Sequence, residues 1–233
     1  ALPISHGREI GILGVPLGLA VWAARSGPMR TLTQGWNEAA ERAALIHSLR
    51  IEPVYWLLIV AAGFAGVLLA QRLRPVSQGP ATEDSSGGRR DARAWTQGLI
   101  ALAAAVVAAE FFLGVFVRNL AMPRHTAAQP AVGQIVFGVT AAFAVAAFVV
   151  KRFLGLSYLL PALASLFVVT FAEAVHYRAE MIQRFAEAYP ATLFPHSAFA
   201  VVPVQLVALG TLGSVIGYWM AVRYDYWRKH ETA

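Results

Sequence analysis

The chain has 233 residues, 58% of them apolar and only 14% charged, with a formal net charge of +6 and a mean hydropathy of +0.56. Soluble domains carry about 25% charged residues, so this balance reads as an integral membrane protein, and its arginines flank apolar runs rather than forming a nucleic-acid-binding motif. There is no cysteine, which excludes thiolate catalysis, iron–sulfur clusters and cysteine-built zinc sites and leaves six histidines and the carboxylates as metal donors.

Crossing a bilayer as a helix takes about 20 apolar residues, and six predicted spans follow in chain order. The first covers about 9–24 and is short, with Pro16 near its middle. Residues 25–50 form an outer segment that places Trp36, Ala40, Ala43 and Ile46 on one side and pairs Glu38 with Arg42 at i,i+4, the pattern of an amphipathic helix lying on the membrane or on a partner. The second span covers about 53–71 and opens on Pro53 at a first helical position. Residues 72–93 are polar and rich in Gly, Ser and Pro, which predicts a mobile loop. The remaining spans cover about 95–117, 131–150, 155–176 and 198–222. Trp22, Tyr55, Trp56, Trp95, Tyr218 and Trp219 fall at span ends, as an aromatic belt would place them.

The expectation is therefore a single all-α transmembrane domain over 1–233, a bundle of about six transmembrane helices with an outer amphipathic helix between spans one and two. With six spans, the side that holds both termini carries 11 Lys and Arg and the other side 8. This bias predicts both termini in the cytoplasm of a bacterial inner membrane.

Site candidates concentrate in "TFAEAVHYRAEMIQRFAEAYPATLFPHSAF", residues 170–199. Glu173 and His176 are spaced i,i+3 on one helix face, and Glu180 continues it at i+4. Glu-x-x-His is the spacing of di-iron bundles, but those need two copies and only one is present here. With His196 as a third ligand the set suits a mononuclear copper, iron or zinc ion, and Pro190 lets the chain fold back to bring His196 near His176. The plain alternative is the solvated end of a helix.

Glu110 lies within the third span, where a charged carboxylate costs about 3 kcal/mol. Such a group handles protons, pairs with a neighbouring chain, or is a protonated structural glutamate. Arg118 lies two turns on and reads as facing water. His47 and His125 share the outer side with His196 as loop histidines, while His6 and His230 lie near the termini. One haem between His176 and His196 is conceivable, but no second pair of histidines would carry electrons across the bilayer. A transporter lacks support, since there is no internal repeat and a single mid-span acid.

The order of these features resembles the C subunit of the copper membrane monooxygenases, the family of particulate methane and ammonia monooxygenase. The likeness covers most of the chain. A first span ends in Trp and Arg, an outer segment of about 25 residues follows, and the second span leads to a charged loop. A tight turn in "VVKRFLGLSYLLPAL" joins spans four and five, a histidine lies on span five, and another opens span six. In that family an Asn-x-x-x-His on span five and a His at the start of span six bind copper, and His176 and His196 stand at those positions. Ala172 stands where the family has Asn, with Glu173 beside it, and 19 residues separate the two histidines, more than in the family. The family's second cluster is reduced to His125, with Asn119 as its nearest polar neighbour.

What the resemblance implies is a membrane subunit of a hetero-oligomeric, copper-dependent monooxygenase that hydroxylates a small apolar or ammonia-like substrate with O2. Glu173, His176 and His196 would hold the copper, with Glu180 or Tyr177 supporting the free imidazole nitrogens. The alternatives are a structural subunit bracing a catalytic partner and a haem- or quinone-binding membrane anchor.

Overall fold

A computed structural model describes residues 7–27, 29, 38–73, 92–117, 120–122, 125–128, 130–176 and 197–231. Seven α-helices are seen among them: α1 (Gly7–Arg25), α2 (Ala39–Leu49), α3 (Glu52–Leu73), α4 (Ala92–Phe116), α5 (Val132–Leu154), α6 (Leu159–His176) and α7 (Pro203–Glu231). All but α2 lie where a span is predicted. A 3₁₀ turn, Ser197–Ala200, leads into α7.

Among the described residues the chain is helical, as expected, apart from one short hairpin. Between α4 and α5 the strands β1 (Leu120–Met122) and β2 (His125–Ala128) pair antiparallel, with Leu120 opposite Ala128 and Met122 opposite His125.

Among the described residues, four stretches are long and apolar enough to cross a membrane: His47–Ala70, Trp95–Phe116, Val132–Leu154 and Pro203–Arg228. The apolar stretches of α1 and α6, Gly11–Arg25 and Leu159–Ala172, are shorter. This length and composition make the chain a helical membrane protein.

Local chemistry accounts for the element ends. Pro16 is buried within α1, and the helix continues through it. A turn at Arg50 and Ile51 separates α2 from α3, because Pro53 cannot donate the bond that would carry α2 onward. That places Pro53 second in α3 rather than first. Glu38 caps α2 instead of lying within it: its backbone N–H donates to the Glu41 carboxylate at 3.4 Å in a capping box. On the expected apolar face of α2, Ala40 is exposed, while Trp36 and the side chains of Arg42, Ala43 and Ile46 lie outside the described set. Gly155 ends α5 in the left-handed conformation at φ 70°, and its N–H donates to the Lys151 carbonyl at 3.1 Å. Four residues, 155–158, then suffice to reach α6, which is the tight turn predicted there. The polar loop expected to be mobile falls, over 74–91, outside the described residues.

Named contacts fix the helix directions. Gly11 faces Val67 and Gly63 faces Val15, so α1 and α3 are antiparallel. The Gln134 amide at the start of α5 donates to the Phe116 carbonyl at the end of α4 at 3.0 Å, which makes that pair antiparallel. Tyr158, just ahead of α6, meets Tyr218 in the later half of α7, with ring centroids 5.4 Å apart. Those two helices are therefore antiparallel as well. By contrast, Thr140 and Ala144 of α5 face Gly213 and Gly217 of α7 in the same order, so α5 and α7 run parallel. The six long helices thus alternate in direction. The start of α1 and the end of α7 share one end of the bundle, here the terminal end, and α6 finishes at the opposite, far end.

The centre of the core is α7, which packs most extensively on α5 and also on α1, α6 and α3. Of its span, 72% is buried, against 11% for α3, so α7 is the axis and α3 lies at the periphery. A methyl group on Gly213 or Gly217 would overlap the carbonyls of Thr140 and Ala144, so only glycine lets the two backbones approach this closely.

Candidate functional site

Most of the predicted site residues lie toward the far end. His176 is the last residue of α6, and Glu173 sits one turn before it. Their side chains lie outside the described set, as do Glu180 and His196. Residue 197 is the first described position after His196, and the turn it opens, Ser197–Ala200, is buried and packs on both α4 and α6. The chain emerging from His196 therefore lies against the helix that ends at His176. Among the described residues, no group of three or more His, Asp or Glu side chains converges.

Glu110 is buried, at 6% exposure, on α4. It stands six residues, about 9 Å of helical rise, before the end of that helix, in its far half. Since α4 packs on α6 and runs in the same direction, Glu110 lies in the half of the bundle toward which Glu173 and His176 point along the chain. That shared half became visible only with the packing. His47 is exposed in the last turn of α2, and His125 opens β2. Arg118, Asn119 and His6 are outside the described residues, and the side chain of His230 is outside the described set.

Gln205 was not anticipated. It is fully buried in the first turn of α7, and its amide nitrogen donates to the carbonyls of Ala23 at 3.1 Å and Gly27 at 3.4 Å. Its oxygen accepts the Val202 N–H at 3.3 Å. The C-terminal carbonyls of a helix have no partner within that helix, and Gln205 supplies one for α1 while securing the entry to α7. The sequence signal was a lone amide in "PVQLVAL", at the mouth of a span. Nearby, Trp22 and Trp56 meet at a tilt of 44° with centroids 5.4 Å apart, and the Trp56 indole donates to Glu52 at 3.2 Å. Together these contacts tie α1, α3 and α7 at the far end.

Two apolar grooves open on the sides of the bundle. One, of about 750 Å³, runs between α1, α5 and α7; the other, of about 400 Å³, lies between α3, α6 and α7 and is lined in part by the buried Thr211. The Thr211 hydroxyl has no hydrogen-bond partner among the described residues.

The class defined by this arrangement is a helical membrane protein with alternating helices around a central α7. Comparison with known protein families, curated proteins and solved structures finds no match.

Proposed function

We propose that the chain is a six-span subunit of a copper-dependent membrane monooxygenase complex acting with O2 on a small apolar or ammonia-like substrate. Glu173, His176 and His196 hold a copper ion at the far end, which faces away from a bacterial cytoplasm containing both termini. Copper would supply the activation of oxygen. Imidazole and carboxylate form a donor set suited to copper(II) or zinc, and this site would draw its metal from outside the cytosol. Glu110, buried in the same half of the bundle, is the carboxylate placed to handle the protons that oxygen reduction consumes.

The observation that carries this reading is the packing of the chain just past His196 against α6, the helix that ends at His176. The alternation of six long helices supports it too, since α6 must then return to the far end before α7 begins. Metal analysis and substrate turnover of the purified complex test it. The His176→Ala/His196→Ala variant is expected to lose both copper and activity while the complex stays assembled. Unchanged metal content and activity would sink the reading.

A second reading, a bracing subunit without metal, is favoured by α3. It is the least buried span, 11% against 72% for α7, and leaves Leu58, Ile59, Leu68 and Leu69 exposed for partner helices or lipid. Intact complex with no metal bound to this chain, and wild-type turnover in the double variant, would select it.

A further inference from the structure

The larger groove has a cationic, aromatic mouth at one end. Its walls are Leu17 and Val21 on α1, Phe137 and Ala141 on α5, and Leu212 and Met220 on α7, with Thr140 the one polar lining side chain. Helical spacing carries the same rows on, one turn to Phe148 and two to Arg152 on α5, and one turn to Arg223 and Tyr224 on α7. These side chains interlock. Phe148 meets Tyr224 edge-on with centroids 6.1 Å apart, Arg152 lies 5.9 Å from the Tyr224 ring, and Arg223 lies 5.2 Å from the Trp227 ring. Lys151 stands over Tyr218 at 5.1 Å. The described side chains here include four cations (Lys151, Arg152, Arg223 and Arg228) against Asp225, which bonds Arg152 at 3.8 Å. A long apolar trough that ends in a surplus of positive charge matches one amphiphile, an anionic lipid.

From Gly133 to Val145 the groove follows α5 for about 18 Å, long enough for an extended acyl chain.

We propose that the groove between α1, α5 and α7 holds an acyl chain of an anionic phospholipid whose phosphate lies against Arg152 and Arg223. The lipid fills the outer face of the α5–α7 pair and joins it to α1.

Native mass spectrometry of the full chain in mild detergent, titrated with phosphatidylglycerol and with phosphatidylcholine of the same acyl composition, tests this. Phosphatidylglycerol is expected to bind more tightly. Each surface arginine contributes about 1 kcal/mol to anionic-lipid binding, so Arg223→Gln and Arg152→Gln should each weaken it about fivefold. Arg152→Lys should keep the preference, and Ala141→Phe, which fills the trough, should weaken both lipids. Arg223 is exposed, so its variant leaves the helix contacts in place. Equal binding of the two lipids, or binding unaffected by Arg223→Gln, overturns the proposal. So does a photo-crosslinker placed at Val21 that captures a protein in native membranes, since the occupant is then a partner helix; a lipid adduct there supports it.

Discussion

Gln205 shows what one polar side chain does inside a membrane bundle. Three hydrogen bonds from a single amide join the end of α1 to the start of α7, and no water reaches the residue to replace them. Gln205→Ala removes the bond to the Gly27 carbonyl and leaves Ala23 to its bonds from Ser26, and should destabilise the protein by about 1–3 kcal/mol, read as unfolding in mixed micelles. Gln205→Glu keeps the acceptor for Val202 but turns an oxygen toward both carbonyls, so it should be no more stable than the alanine variant. Glu110 tests function rather than folding. Glu110→Gln preserves shape and should change stability by less than about 1.5 kcal/mol. If the carboxylate transfers protons, turnover of the complex should fall about 100-fold. Wild-type turnover would return Glu110 to a structural role. The i,i+3 relation of Glu173 and His176 was legible in the sequence, because helical spacing is local. The role of Gln205 was not, because its partners lie some 180 residues earlier in the chain.

At the scale of elements, the parallel pair α5–α7 depends on glycine. Gly213 and Gly217 sit against backbone carbonyls, whereas Gly14 and Gly66 have open space around them. Alanine substitutions should therefore have opposite signs. Gly213→Ala and Gly217→Ala should destabilise by about 1–3 kcal/mol through overpacking. Gly14→Ala and Gly66→Ala should be neutral or stabilising by up to about 1 kcal/mol through helix propensity. Thermal unfolding of the four variants side by side decides it, and a uniform response would mean that the close approach is not what stabilises the pair. The spacing Gly213-Ser-Val-Ile-Gly217 could have flagged an interface in advance, though not which helix it meets. Helix ends were partly readable. Gly155 stops α5 as its sequence implies, but the break between α2 and α3 at Arg50–Ile51 and the β1–β2 hairpin lay beneath the hydropathy signal.

For the whole molecule, alternating helices place Ser48 near the far end and Ser157 at the terminal end, both exposed. The chain has no native cysteine, so single substitutions report topology without background. In intact spheroplasts, a membrane-impermeant thiol reagent should label Ser48→Cys at once and Ser157→Cys only after permeabilisation. The reverse pattern would invert the proposed orientation and move the candidate metal site to the cytoplasm.

By itself the sequence determined the membrane character, the positions of the long helices and the shared helix face of Glu173 and His176. Each of these follows from hydropathy and spacing within about 25 residues, where the chain needs no knowledge of its neighbours. Tertiary structure alone decided that α7 is the axis, that α5 lies parallel to it, that Gln205 joins it to α1, and that Glu110 shares the half of the bundle where α6 ends. The reason is physical. In hydrocarbon, apolar side chains gain little by choosing protein over lipid, so partners are selected by close backbone approach and scattered polar contacts. Both depend on pairs of residues far apart in the chain.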